Sequence, residues 1–144
     1  NGAGVERHVE RQAGSVDISG TTGDGRSFER HIDTVKTENG YTRTMTGTTP
    51  NGDSYDRSVN VSRDKEAGTW SKEISGTTPS GKTYATSISG TRTDDGYTRH
   101  AEHTGPNGTV GTHNTVATVG EDGKVSKDVT NHVTPPQNPA DTGE

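Results

Sequence analysis

Residues 41–68 read YTRTMTGTTPNGDSYDRSVNVSRDKEAG, and the order of Gly47, Pro50-Asn51-Gly52 and Tyr55 within them decides the fold. Proline suits the first central position of a turn, and glycine suits a closing position with positive φ. A three-residue loop centred on Asn51 places Gly47 directly opposite Tyr55 across two antiparallel strands, where the ring can cover bare backbone. The same order recurs as Gly20, Gly23-Asp24-Gly25 and Phe28, and as Gly76, Pro79-Ser80-Gly81 and Tyr84.

Working outward, turn signals punctuate the whole chain, ending at Gly14, Gly25, Gly40, Gly52, Gly68, Gly81, Gly96, Gly108 and Gly123. They divide it into two-strand units of about 27 residues, at 15–40, 41–68, 69–96 and 97–123, with partial units at both ends. Ten strands are predicted: 4–12, 15–22, 26–37, 41–49, 53–64, 69–78, 82–93, 97–105, 109–119 and 124–134. Asn39-Gly40 and Asp95-Gly96 suit two-residue type I′ turns. Alternating three- and two-residue loops keep one set of side chains on one face. That face reads Phe28-Arg30-Ile32, Tyr41-Arg43-Met45, Tyr55-Arg57-Val59, Trp70-Lys72-Ile74, Tyr84-Thr86-Ile88 and Tyr97-Arg99-Ala101. The expected fold is all-β: an antiparallel meander forming an open twisted sheet or a thin sandwich. Residues 1–134 make one β-repeat domain, and the proline-rich 135–144 is a linker or disordered tail.

Composition agrees. The 144 residues include no Leu and no Cys, while Thr is the commonest residue at 25. Thr favours strands over helices because its Cβ is branched. Val, Ile and Phe number 17, about 12% of the chain, below the roughly 20% at which disorder is usual. The net charge of only −5, with both signs mixed, opposes disorder. So little apolar material makes a poor two-layer core, and stability must come from backbone ladders, cross-strand pairs or other chains. No stretch has the apolar length of a membrane span. Mild acidity argues against nucleic acid, and Asn1 does not open a signal peptide.

Several constellations carry chemistry elsewhere. Six histidines raise a metal site, but His100 and His103 fall on opposite strand faces. His113 is expected opposite Gly105 as a ring substitute near His103. Asp94-Asp95-Gly96 and Glu121-Asp122-Gly123 lack the ligand order of a calcium loop and are accounted for as turn formers. No metal or cofactor is expected. A flat Thr array for ice is interrupted by Glu29, Asp33, Asp56, Glu73 and His100. There is no G-x-S-x-G elbow, and an enzyme is not expected. The cations beside the rings act structurally by stacking and covering, or functionally as an aromatic-arginine surface. That candidate binding face comprises Tyr41, Arg43, Tyr55, Arg57, Trp70, Tyr84, Tyr97 and Arg99.

The 41–68 segment, with its G-T-T-P-x-G turn, resembles the tandem Thr- and Gly-rich hairpin repeats of secreted bacterial proteins of fibre or surface type. The resemblance implies an extracellular or cell-surface location and a fibre or biofilm-matrix role, and supplies no catalytic residue. The leading expectation is a secreted structural protein that polymerises with copies of itself by edge-strand addition. Val5, Arg7, Val9 and Arg11 would form one edge, and Val125, Val129 and Val133 the other. The alternative is an adhesin-like module whose aromatic-arginine face binds carbohydrate, with surface glycans as partners.

Overall fold

A computed structural model describes residues 4–136. Ten strands follow one another: β1 (Glu6–Gln12), β2 (Ser15–Thr21), β3 (Ser27–Thr37), β4 (Gly40–Thr48), β5 (Ser54–Asp64), β6 (Thr69–Thr77), β7 (Thr83–Thr93), β8 (Gly96–Thr104), β9 (Val110–Val119) and β10 (Val125–Thr134). Each pairs antiparallel with the next in a single sheet of order β1 to β10. The sheet is open, with one neighbour each for β1 and β10, and each strand touches only its neighbours in the chain, which rules out the thin sandwich. No helix forms among the described residues. Most of the expected tail, 137–144, lies outside them, as do residues 1–3 of the expected domain.

The register follows the glycine-aromatic spacing. Gly20 pairs with Phe28, Gly47 with Tyr55 and Gly76 with Tyr84. A Cβ built on these glycines would strike the partner's ring, at 2.5 Å from the Phe28 Cζ, 2.5 Å from the Tyr55 hydroxyl and 2.6 Å from the Tyr84 hydroxyl. The rings therefore lie across the bare backbone. Each hairpin turns through three residues, with Gly25, Gly52 and Gly81 at φ 82°, 88° and 78°. Their N–H groups donate back to Thr22, Thr49 and Thr78, the geometry of a type I turn closed by a glycine bulge. The β8–β9 hairpin turns the same way, with Gly108 at φ 81°.

Two expectations need correction. Asn39-Gly40 and Asp95-Gly96 do mark hairpins, but neither is a type I′ turn. The two-residue loops are Glu38-Asn39 and Asp94-Asp95, and no non-glycine residue among those described has positive φ. Close approach requires these glycines. A Cβ on Gly40 would overlap the Val61 carbonyl of β5, and one on Gly96 the Ala117 carbonyl of β9. The turns are drawn against those strands by Arg63 N–H donating to the Asn39 carbonyl at 2.8 Å and Val119 N–H to that of Asp95 at 2.6 Å. Second, His113 does not face Gly105. Gly105 lies inside the turn, where Thr49 lies in the β4–β5 hairpin, and His113 pairs with Ala101. The ring-glycine pair of this hairpin is His103 and Gly111, in reversed order. The His103 ring leaves the space over Gly111 empty, and its Nδ1 bonds the Thr86 hydroxyl at 2.7 Å.

Burial is as thin as the composition implies. Among the described residues the buried apolar side chains are only Val59 (9% exposed) and Ala117 (5%), with Thr115 the one buried polar residue. The accessible surface is 10550 Å², against roughly 7,100 Å² for a compact monomer of this mass. Backbone ladders and cross-strand pairs of about 0.2–1 kcal/mol each hold the sheet.

Candidate binding face and open edges

Directly paired residues share a face, and successive residues of a strand alternate. The register therefore assigns every strand residue to one of two faces. The first carries all the strand cations: Arg7 and Arg11 on β1, Arg30 and Lys36 on β3, Arg43 on β4, Arg57 and Arg63 on β5, Lys72 on β6, Arg92 on β7, Arg99 on β8 and Lys127 on β10. The second carries all the strand carboxylates: Glu6, Glu10, Asp17, Glu29, Asp33, Asp56, Asp64, Glu73, Glu102 and Asp128, among Thr and Ser. No strand acid stands on the first face and no Lys or Arg on the second. A net charge of −5 thus conceals two faces of opposite sign. The signal was present in the sequence as acid-base neighbours, Glu6-Arg7, Glu10-Arg11, Glu29-Arg30, Asp56-Arg57, Lys72-Glu73 and Lys127-Asp128, which a strand points to opposite sides.

The first face also holds all six aromatic rings, each with a cation in its own cross-strand row. Lys36 faces Tyr41, Arg63 faces Trp70 and Arg92 faces Tyr97. In three further rows a glycine intervenes: Arg7–Gly20–Phe28, Arg30–Gly47–Tyr55 and Arg57–Gly76–Tyr84. Trp70 also lies across Gly90, with Arg99 beyond it. The Arg30 and Arg43 guanidinium carbons lie 5.9 Å from the ring centroids of Tyr55 and Tyr41. The expected face residues are therefore one continuous surface, and Lys36, Arg63 and Arg92 join it. Sequence reading overlooked these three because they stand at the strand end away from the aromatic of their own strand.

The same alternation orients the edges. Gly120 N–H donates to Lys124 C=O, so the hydrogen-bonded pairs of β9–β10 include Asn114 with Thr130. The peptide groups of Val125, Val129 and Val133 then point outward. On the other side, Thr22 N–H donates to Arg26 C=O, which turns those of Arg7, Val9 and Arg11 outward. Val5 precedes β1. Val5, Val125 and Val133 are 61%, 69% and 65% exposed.

The ring nitrogens of several histidines are engaged in hydrogen bonds. His100 and His113 reach Asn114 and Asn131, and His113 Nε2 lies 3.1 Å from the Thr115 hydroxyl. Among the described residues no group of three His or acidic side chains is arranged to hold a metal ion. On the second face, His31 lies between Asp17, at its Nδ1, and Asp33, 2.9 Å from its Nε2. These carboxylates, Asp17 foremost, raise the imidazole above its usual pKa. In the β2–β3 turn, Arg26 Nε donates to Asp24 at 2.7 Å and Thr22 adds its hydroxyl. Together they lower Asp24 to about 2.

A scan against protein-family models finds no match, and neither do searches of curated proteins and of solved structures.

Proposed function

We propose that this chain is a structural protein that polymerises with copies of itself into an extracellular fibre or matrix, β1 of one subunit adding to β10 of the next. The observation that carries this reading is the identity of the outward peptide groups. On both open edges they belong to residues of the cationic face, so joining the edges continues each face without a flip. With ten alternating strands, β1 of the next subunit also runs antiparallel to β10. Such a head-to-tail contact does not close and gives a filament. The thin core supplies the driving force for burial between chains, and the resemblance to secreted hairpin repeats supports the location.

Proline separates edge pairing from folding, because it removes one N–H. Val129→Pro removes an outward donor, whereas Thr130→Pro removes one that bonds β9. Sedimentation and electron microscopy are expected to show filaments for the wild type and none for Val129→Pro, with its strand signal retained. A wild-type chain that stays monomeric over a wide concentration range, or a Val129→Pro chain that still forms filaments, sinks the proposal.

A second reading is favoured by the acid-free aromatic face: an adhesin-like module that binds carbohydrate through Tyr41, Arg43, Tyr55, Arg57, Trp70, Tyr84, Tyr97 and Arg99. The two readings are compatible, since edge pairing leaves that face open.

A further inference from the structure

The cationic face is not uniform. A concavity of about 1190 Å³ lies near the β7–β8 turn, lined by Trp70 of β6 and Tyr97 of β8. Arg63, Lys65 and Arg92 line it beside the two rings, together with Asp64 and, in the turn, Asp94 and Asp95. The strands that carry the two rings, β6 and β8, are two strand spacings apart, on the order of 10 Å. Trp70 lies across Gly90, so one face of the indole rests on bare backbone and the other remains available. Among the described residues neither the Arg63 nor the Arg92 guanidinium has a hydrogen-bond or ion-pair partner.

We infer that this groove binds an acidic polysaccharide, with a uronate residue held between Trp70 and Tyr97 and its carboxylate paired with Arg63 or Arg92. The inference rests on the carbohydrate-binding reading and is independent of assembly. Three features meet the three parts of such a sugar. The rings take its apolar face. The guanidinium forks fit a carboxylate in bidentate geometry. Asp94 and Asp95 accept hydrogen bonds from its hydroxyls. Those two acids also favour a uronate over nucleic acid, whose closely spaced phosphates they would repel. The acid-free face surrounding the groove attracts the rest of an anionic chain.

Trp70 is the sole tryptophan, so its emission reports on the groove directly. Titration of the full chain with polygalacturonate is expected to give a saturable change. The double variant Arg63→Gln with Arg92→Gln, which removes both alternative partners, should weaken the affinity about tenfold or more, the usual loss for one charge-assisted bond. Three comparison polymers sharpen the test: fully methyl-esterified polygalacturonate, polyaspartate and duplex DNA. A weaker response to all three supports the inference. An equal response to the esterified polymer overturns it while leaving a neutral-carbohydrate site standing. Equal or tighter binding of polyaspartate or DNA reduces the groove to a generic anion surface and overturns it. No response to either polygalacturonate form ends both this inference and the carbohydrate reading.

Discussion

Arg30 donates from Nε to the Tyr55 hydroxyl at 3.0 Å, although the two side chains stand on β3 and β5 with a whole strand between them. The contact exists because β4 presents Gly47 at that point, directly paired with both. The missing side chain leaves a shelf on which the ring lies and across which the arginine reaches. Glycine here makes space for neighbours on both sides.

Filling the shelf should therefore destabilise the sheet. Glycine within a strand ordinarily costs about 0.5–1 kcal/mol relative to alanine. At Gly47 a Cβ would stand 2.6 Å from both the Tyr55 Cζ and the Glu29 carbonyl oxygen, so Gly47→Ala is expected to lose about 1–3 kcal/mol, as overpacking does. Gly111→Ala is the contrast, since nothing lies within 4 Å of its Cβ position. It should be neutral or gain up to about 1 kcal/mol. Urea unfolding of the two variants under non-assembling conditions decides the matter, and equal effects would remove the ring-over-glycine argument.

His31 supplies a pH dependence of known sign. Its folded pKa is raised, first by Asp17 and then by Asp33, so the folded state favours the imidazolium. The contribution to stability is fully present below the unfolded value near 6.5 and is lost as pH rises through the raised folded value. Proton NMR should find His31 titrating above pH 6.5. Asp17→Asn should bring its midpoint down towards that value; an unchanged midpoint would show that Asp17 is not the cause.

Asp24 behaves with the opposite sign. Arg26 and Thr22 hold its carboxyl at about 2 against an ordinary 3.8. Its contribution is present above the ordinary value and disappears as pH falls through about 2. Arg26 also reaches Asn51 in the adjacent β4–β5 turn, so the pair links two loops at one end of the sheet. Carbon-detected NMR titration should place Asp24 well below 3.8, and Arg26→Gln should return it towards that value.

How far the sequence reveals all this can be followed residue by residue. The strands and their register are legible because a glycine, a turn and an aromatic recur at one spacing, and the paired residues Gly20–Phe28, Gly47–Tyr55 and Gly76–Tyr84 are those the spacing names. Local signals are less reliable about cause. Asn39-Gly40 marks a hairpin correctly, yet Gly40 is needed by β5, a strand outside that hairpin. The extra glycine at Gly105 shifts the eight-residue rule by two positions and misplaces His113. The groove escapes a linear reading altogether, because Arg63, Trp70, Arg92 and Tyr97 meet only when four strands, β5 to β8, lie side by side. Charge segregation was readable, but net charge averages it away.

That segregation gives the two proposed activities opposite salt dependences. When β1 adds to β10, Arg7 and Arg11 come beside Lys127 on one face, and Glu6 and Glu10 come beside Asp128 on the other. Like charges face like charges, and the pairing proceeds against repulsion. Between about 0.01 M and 1 M salt the screening length falls from about 30 Å to about 3 Å, so filaments should form at lower protein concentration as salt rises. Polygalacturonate binding relies on attraction between opposite charges and should weaken over the same range. Sedimentation and Trp70 emission, measured in parallel, read the two effects in one set of samples. If assembly weakens with salt, the edges pair through contacts other than those of a face-preserving head-to-tail ladder. If polymer binding is indifferent to salt, the arginines of the groove do not carry it.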